Sequence, residues 1–314
     1  MNEPIKLSIA ATSKRVDIAT VVGLTFFNSV ELPRRSQLDI AMGWRDSELG
    51  GTGPAILVGK KIYTFGFGNP VGLSAMAYRG RGFYRNKIPL RAIGVFPTWD
   101  RLIFAVRKDT GIQSLEEVRQ RKYPLKISTR RRGKLQTTVY AIEEVLNAYG
   151  MSYREIDKWG GKILEAPSPS SAARKDHIQS GKADAVFDEG VKSWGQTAVD
   201  HGFIYLPIQG QVLKRLGRMG YRISMVPKSR FKGMETDVPT VDFSGWPMVV
   251  RADMPNDVAY ALCEAIEKRK ALIPTDNFKP VAMKQLCADD DEAPYNVPLH
   301  PGARRFYREH GYLK

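Results

Sequence analysis

Lys126–Thr138 has the sequence KISTRRRGKLQTT, and this stretch decides how the fold is interpreted. Its β-branched start predicts a short strand, and the residues after the glycine carry a helical pattern as far as Leu146. Small hydroxyl residues and a glycine just before a helix leave backbone N–H groups facing whatever docks there. Arg130, Arg131 and Arg132 add fixed charge and planar donors that suit a carboxylate or a phosphate. The stretch therefore predicts an anion site at a strand-to-helix turn, and a solvated basic loop is the alternative.

The rest of the chain alternates between strand-like and helix-like segments, which predicts the α/β class. Residues 5–11 and 38–44 have the apolar pattern of buried strands, and a helical pattern lies between them. Gly51, Thr52 and Gly53 precede Pro54, where the preference of proline for the first turn predicts the start of a helix. Such alternation is typical of parallel sheets, whose ligands bind at the carboxyl ends of the strands.

Length and composition indicate a folded protein with room for two domains. The chain has 314 residues, of which 43% are hydrophobic and 10% are aromatic, as in globular proteins. No apolar run approaches the length of a membrane-spanning helix. The first residues lead almost directly into a strand, so we expect no signal peptide in this chain. A cytoplasmic location and the earlier removal of a leader are both compatible with that start.

The net charge of +15 suggests a partner that is nucleic acid, an anionic membrane or a small anion. The basic residues are spread over small groups along the chain. The sequence contains neither zinc-finger spacing nor an RNA-recognition motif. We therefore expect no nucleic-acid partner and favour a basic surface with an anion-binding cleft.

The sequence lacks the residue patterns of the common catalytic and metal sites. Its four histidines are far apart, and neither a nucleophile elbow nor a Walker loop is present. Cys263 and Cys287 have no metal-site spacing, and Cys263 is expected to be a small buried residue of a helix. The glycine spacing after Gly68 does not fit a dinucleotide-binding fingerprint. We predict no cofactor, no metal and no enzymatic activity.

Asp188 and Glu189 form the best carboxylate pair of the chain, directly after an apolar segment. Adjacent residues of a strand point to opposite faces, so we do not expect the two to act together as acid and base. One of them facing a cleft would bind a ligand ammonium group or a water molecule. The alternative is a strand end with solvated acids, which is the preferred interpretation of Glu189.

Four segments between Ala92 and Lys314 carry a pattern that is specific in its order and spacing. They are DTGIQSLEEVRQRKYPLKIST (109–129), IQSGKADAVFDEGV (178–191), YRISMVPKSRFKGMETDVPTVDFSGWPMVV (221–250) and LHPGARRFYREHGYL (299–313). Together they resemble the TAXI-type solute receptors of TRAP transporters. That family has a helix leading to a strand and a Gly/Ser-rich turn, a strand of the G-x-x-D-A-x-F pattern, and a terminal HPGA helix.

The resemblance implies a type II periplasmic-binding-protein fold, in which two α/β lobes joined by a strand hinge enclose a small solute. Lobe 1 would comprise residues 1–99 plus 208–314, and lobe 2 residues 100–207, with hinges near 98–101 and 206–209. The resemblance also implies a carboxylate-type organic anion as ligand and the membrane subunits of a TRAP-type transporter as partner. A monomer in the bacterial periplasm is expected, with the cytoplasm as the alternative.

The ligand-contacting turns of that family correspond to three turns of lobe 1 and two of lobe 2. The arginines would supply charge, hydroxyl and amide side chains neutral hydrogen bonds, and Trp44, Phe67 and Trp99 an apolar wall. The predicted ligand-binding residues are Thr12, Ser13, Gly51, Thr52, Gly53, Phe67, Asn69, Trp99, Ser128, Thr129, Arg130, Arg131, Arg132, Asp188 and Glu189.

Two other functions fit the same residues. The first is an enzyme on the same bilobal fold, of the decarboxylase or hydrolase type, that uses Asp188 or Glu189 on an anionic small molecule. The second is a ligand-sensing regulatory domain. The sequence favours the receptor over both.

Overall fold

The computed structural model describes residues 4–11, 14–42, 53–132, 136–273 and 280–314. The strands in these residues are β1 (Lys6–Ala11), β2 (Gln37–Met42), β3 (Phe65–Phe67), β4 (Leu90–Phe96), β5 (Arg101–Arg107), β6 (Lys126–Arg130), β7 (Lys162–Ala166), β8 (Ala185–Asp188), β9 (Phe203–Leu206), β10 (Ile223–Val226), β11 (Val238–Asp242) and β12 (Trp246–Arg251). The helices are α1 (Lys14–Ser29), α2 (Gly53–Gly59), α3 (Val71–Arg79), α4 (Leu115–Gln120), α5 (Thr137–Ala148), α6 (Tyr153–Lys158), α7 (Ala172–Gln179), α8 (Gly195–Asp200), α9 (Gly210–Met219), α10 (Asn256–Lys268), α11 (Met283–Leu286) and α12 (Pro301–Glu309).

The chain forms two compact α/β units, which confirms the predicted fold class. Unit 1 comprises Met1–Trp99 and Ser244–Lys314, and unit 2 comprises Asp100–Phe243. The division expected from the sequence differs in residues 208–243, which it assigns to lobe 1 with a hinge at 206–209. In the structure β11 pairs with β5, β10 pairs with β11, and α9 packs on β11. These contacts put the segment in unit 2, so the second crossing lies at residues 243–244.

Unit 1 is built on a five-stranded sheet in the order β2-β1-β3-β12-β4. β1 runs parallel to β2 and β3, whereas β12 runs antiparallel to β3 and β4. The sheet is therefore mixed and not wholly parallel as the sequence suggested, because β12 is added by the second passage of the chain through this unit. Parallel pairing puts the carboxyl ends of β1, β2 and β3 at one edge, where the sequence analysis placed the ligand turns of lobe 1.

Helices α1, α10 and α12 pack together in unit 1. α10 turns Leu262, Cys263 and Ile266 into the core, and Cys263 is fully buried as expected. Cys287 is also buried, and neither cysteine forms a disulfide. Among the residues described, no helix has both the length and the apolar composition of a membrane span.

Unit 2 is built on a seven-stranded sheet in the order β10-β11-β5-β8-β6-β7, with β9 pairing β5 outside that path. β6 runs parallel to β7 and β8, whereas β5 runs antiparallel to β8. The carboxyl ends of β6, β7 and β8 therefore share one edge with the amino end of β5. Because Thr129 lies level with Phe187, the next positions along the two strands, Arg130 and Asp188, meet at that edge.

Serine side chains cap three of the helices that surround this sheet, α4, α6 and α7. Ser114 accepts a hydrogen bond from the backbone N–H of Glu117 at 3.1 Å, which confirms the predicted start of α4. Ser171 accepts from the N–H of Arg174 at 3.3 Å and so fixes the first turn of α7. The cap formed by Ser171 is relevant to the candidate site, because it holds the first turn of α7, and Arg174 lies in that turn.

Candidate ligand-binding site

Four segments of unit 2 bring charged side chains to the shared edge of the sheet. Arg130 ends β6, Asp188 ends β8 and is followed by Glu189, and Asp100 precedes β5. Arg174 reaches the same place from α7 and contacts Asp188. We call these five residues the charge cluster. Carboxyl ends of parallel strands are where α/β proteins bind ligands, so the cluster lies at the expected place for a site.

Arg130 lies between two carboxylates. Its Nη2 is 3.3 Å from Oδ1 of Asp188, its Nε is 3.5 Å from Oδ2, and Nη2 also donates to Glu189. Only 12% of its side chain is exposed. Burial opposes the charge of Arg130, but the carboxylates of Asp188 and Glu189 outweigh burial and raise its pKa. The arginine that the sequence assigned to an anionic ligand is thus paired within the protein.

The expectation that Asp188 and Glu189 point to opposite faces is wrong. Both carboxylates contact Arg130, and Glu189 is almost fully buried instead of solvated. β8 ends at Asp188, so Glu189 no longer follows the alternation of a strand. The next residue, Gly190, has φ of 67° and turns the chain sharply. The backbone N–H of Glu189 donates to Oδ1 of Asp188 at 2.9 Å and fixes this turn.

Arg174 is one of two functional candidates that the sequence analysis missed, and Asp100 is the other. It is completely buried, donates from Nη1 to Oγ of Ser128 at 2.5 Å and contacts Asp188. Oγ of Ser128 is also 2.8 Å from Nδ1 of His177. The missed signal is spacing: Arg174 lies four residues before Ile178, the buried apolar residue of α7, and so shares its inward face.

Asp100 holds the turn that carries Glu189. Its carboxyl group accepts hydrogen bonds from the N–H of Gly190 at 2.9 and 3.0 Å and from the N–H of Val191 at 3.3 Å. Burial raises the pKa of Asp100 well above its ordinary value, and the neighbouring charge of Glu189 adds to the rise. Asp100 and Glu189 are therefore a pair of adjacent acids in which burial favours the protonated form of Asp100.

The hydroxyl groups predicted to bind the ligand have partners inside unit 2. Ser128 is shared by Arg174 and His177, as described above. Thr129 Oγ1 is 3.1 Å from the hydroxyl oxygen of Tyr153, and both Ser128 and Thr129 are fully buried. These two side chains support the arginine and the strand end, and their direct contact with a ligand stays a prediction.

The other two arginines of the triplet are exposed and differ in their contacts. Arg132 donates from Nε to Glu165 at 2.8 Å. Arg131 uses its backbone N–H to bind the carbonyl oxygen of Ala166 at 2.9 Å, and its side chain is exposed. Arg131 therefore presents positive charge to solvent one residue beyond Arg130.

The predicted ligand residues of unit 1 are described only in part. Thr12, Ser13, Trp44, Gly51 and Thr52 lie outside the described residues. The residues that are described are placed as follows: Gly53 begins α2, Phe67 is 5.8 Å from Phe96 between ring centroids, Asn69 precedes α3, and Trp99 is buried. Phe67 is 3% exposed, so it lies in the core of unit 1. The role of these residues in binding stays a prediction.

Within the described ranges, no group of histidine, cysteine and acidic side chains is suited to a metal ion. Asp188 and Glu189 bind arginine instead, and Asp100 accepts backbone N–H groups. The chemistry of this edge is therefore that of guanidinium and carboxyl groups, which bind anions and exchange protons.

The NMT1-like family matches residues 65–311 of this sequence. The chain belongs to that family. The match runs from β3 to α12 and contains every residue of the charge cluster.

Several solved structures of solute-binding proteins are similar to this chain over nearly its whole length. A TctC solute binding protein from Polaromonas has 14% identity and a TM-score of 0.44, with 98% of this chain and 96% of that chain covered. PhnD1 from Prochlorococcus marinus, in complex with methylphosphonate, has 10% identity and a TM-score of 0.48, with 99% and 100% covered. The alkanesulfonate-binding protein SsuA from Xanthomonas axonopodis pv. citri has 12% identity and a TM-score of 0.42, with 100% and 86% covered.

The expected class of solute-binding protein is thus supported by the family and by the two-unit α/β fold. The TAXI subtype, the carboxylate ligand and the TRAP-type partner are finer predictions.

Proposed function

We propose that this protein is a periplasmic receptor that captures a small organic anion for uptake by a TRAP-type transporter. Membership of the NMT1-like family supports the receptor class. The observation that carries the proposal is Arg130, a guanidinium group at the carboxyl edge of the parallel strands. Anionic ligands of α/β proteins bind at such an edge, and a guanidinium fork matches two oxygens of one acidic group.

Arg130 and Arg131 have different roles in this proposal. Arg130 is partly buried and held in place by Asp188, so it would form the directed hydrogen bonds to the ligand. Arg131 is exposed and would raise the local positive potential that attracts an anion from solution. A carboxylate is our choice of ligand group, and a sulfonate or a phosphonate also offers two acidic oxygens to a guanidinium fork.

A thermal-shift screen of carboxylates, sulfonates, phosphonates and amino acids tests the receptor. An anion present at about 100 times its dissociation constant adds about 2.7 kcal/mol of stability, which raises the melting temperature measurably. Arg131→Ala should weaken binding and Arg130→Gln should abolish it. Arg154→Ala, at an exposed arginine of α6, is the control and should bind as the wild type does. A screen in which no anion stabilises the wild type would contradict the receptor.

An enzyme on the same fold is the second candidate, and Asp100 is the observation that favours it. A carboxyl group with a raised pKa beside a second carboxylate is the arrangement used for proton transfer in active sites. Incubating the wild type with each stabilising anion and following the anion by NMR separates the two functions. Conversion that Asp100→Asn abolishes without loss of binding would establish the enzyme, and an unchanged anion would establish the receptor.

A further inference from the structure

The charge cluster is electrically balanced without a ligand. Arg130 and Arg174 carry two positive charges, and Asp188 and Glu189 offer two negative ones. Asp100 lies next to Glu189, where burial raises its pKa well above the ordinary value and so favours its uncharged form. The two guanidinium groups of the site are therefore already matched by carboxylates before an anion arrives, and the further positive charge near it comes from Lys192 and from exposed Arg131. Binding of an anion would add a negative charge to this partly buried site. That costs free energy unless one of the carboxylates of the site loses its own negative charge.

The two carboxylates of Arg130 differ in how firmly they are held. Asp188 is completely buried, contacts both arginines and accepts the N–H of Glu189. Glu189 keeps 12% of its side chain exposed. Its backbone carbonyl is fixed separately, because it accepts a hydrogen bond from Nε1 of Trp194 at 3.0 Å. The Glu189 side chain also forms a hydrogen bond with Asp100, so it has a second acidic partner beside it when an anion takes its place on Arg130.

We propose that Glu189 occupies the place on Arg130 that the anionic group of the ligand takes, and that the exchange is accompanied by uptake of one proton by the Asp100–Glu189 pair. This inference rests on the proposed function, since it concerns the same site. Glu189 would leave the arginine, a carboxyl oxygen of the pair would bind a proton from solvent, and the ligand would replace the lost charge. The net charge of the cluster stays constant through the exchange.

The groups that face this pair from the surrounding elements support the exchange. They are Arg130 from β6, Arg174 from α7, Asp188 from β8 and Lys192 from the segment after β8. The guanidinium groups of Arg130 and Arg174 keep their charge at neutral pH. His177 lies behind Ser128, and burial lowers its pKa, so it is neutral above about pH 6.5. The acid pair, in which burial raises the pKa of Asp100, is therefore the part of this cluster to which we assign the proton uptake.

Isothermal titration calorimetry tests the proposal with lactate, benzoate and methanesulfonate, whose own charges are constant above pH 6.5. Titrations in buffers of different ionisation enthalpy give the number of protons taken up with each anion. We expect about one proton per bound anion and an affinity that falls up to about tenfold for each unit of rising pH. If none of the anions binds, the receptor function itself fails. If an anion binds without proton uptake, only the present inference fails.

Variants at position 189 make the test specific. Glu189→Gln removes the competing charge, so we expect at least about tenfold tighter binding and almost no proton uptake. Glu189→Asp keeps a carboxyl group and should restore the proton uptake. Glu165→Gln, at the exposed partner of Arg132, is the matched control and should change neither quantity. Weaker binding by a folded Glu189→Gln variant, checked by circular dichroism, would show that Glu189 is a direct ligand contact and would overturn the proposal.

Discussion

Two arginine–carboxylate groups of unit 2 differ in their nitrogen–oxygen distances and in the burial of their side chains. Arg101 is 2.7 Å from Asp242, both side chains are completely buried, and Nε of Arg101 also donates to the carbonyl of Met225 at 2.9 Å. Arg130 is 3.3 Å from Asp188 and keeps part of its side chain exposed. The first group joins β5 to β10 and β11, whereas the second ends at the edge of the sheet.

The difference separates a structural ion pair from one that can exchange its partners. Arg101 has short bonds to partners that cannot move independently of the sheet. Arg130 has one completely buried partner, Asp188, and one partly exposed partner, Glu189. A buried ion pair contributes little net stability because of desolvation, but removal of one partner is costly. Variants of the two groups should therefore differ in predictable ways.

The largest expected effect is that of Asp242→Ala. Arg101 would lose its buried contact with Asp242, and Arg222, now 3.2 Å from Asp242, would lose that contact too. We expect a loss of about 3–5 kcal/mol in the free energy of unfolding. Urea unfolding followed by circular dichroism measures the loss. A loss below about 1 kcal/mol would show that the two groups do not differ as proposed.

Arg174→Met should have a smaller effect, although Arg174 is as buried as Arg101. In this variant Asp188 would still form its ion pair with Arg130, and Ser128 would still form its hydrogen bond with His177. We expect a loss of about 1–3 kcal/mol, as for a buried acceptor that loses one donor. The same unfolding measurement compares the two variants directly. A loss equal to that of Asp242→Ala would mean that the charge cluster is as rigidly coupled as the structural pair.

Asp100→Asn should change how stability depends on pH. Folding raises the pKa of Asp100 from its ordinary value of 3.8, so above that value the folded chain holds a proton that the unfolded chain releases. The contribution of Asp100 is complete below pH 3.8 and is lost as pH rises through the raised pKa. The asparagine mimics the protonated acid, so the stability of the wild type relative to the variant should fall with rising pH. Unfolding curves of both proteins recorded from pH 3.8 upward measure this change. A stability of the wild type, relative to the variant, that increases with pH would refute the prediction.

Asp253→Ala is the exposed counterpart and should have the smallest effect. Asp253 is 2.8 Å from Arg251, but about half of its side chain is exposed. The hydrogen bond from Arg251 lowers the pKa of Asp253 to about 2. Solvent screens such pairs, so the variant should lose less than about 1 kcal/mol, and only at a pH above that of its titration. A larger loss would indicate that distance, and not burial, sets the strength of these pairs.

Local features were predictable from the sequence because their causes lie within a few residues. The capping of α4 follows from Ser114 and Glu117, three positions apart. The position of Arg130 after a β-branched run identified the end of β6. The same applies to Cys263, whose burial follows from its place on the apolar face of α10.

The charge cluster was not predictable, because it depends on contacts between distant segments. Arg130 and Asp188 are 58 positions apart and meet through the register of β6 and β8. The alternation rule failed at Glu189 because the strand ends one residue earlier and Gly190 turns the chain. Arg174 was missed because the short polar helix α7 has a weak apolar pattern, in which Ile178 gives the direction of the inward face. The segment 208–243 was misassigned because strand pairing with β5 has no local signal.

The burial of both cysteines has a practical consequence for measuring ligand binding. Burial raises the pKa of both thiols, that of Cys287 to about 11, so they react slowly with alkylating reagents at neutral pH. A cysteine introduced on the surface of unit 2, for example by Arg154→Cys, would then take up a maleimide dye selectively. The wild-type thiols need not be removed, and the labelled protein would be a fluorescent sensor whose response identifies the ligand.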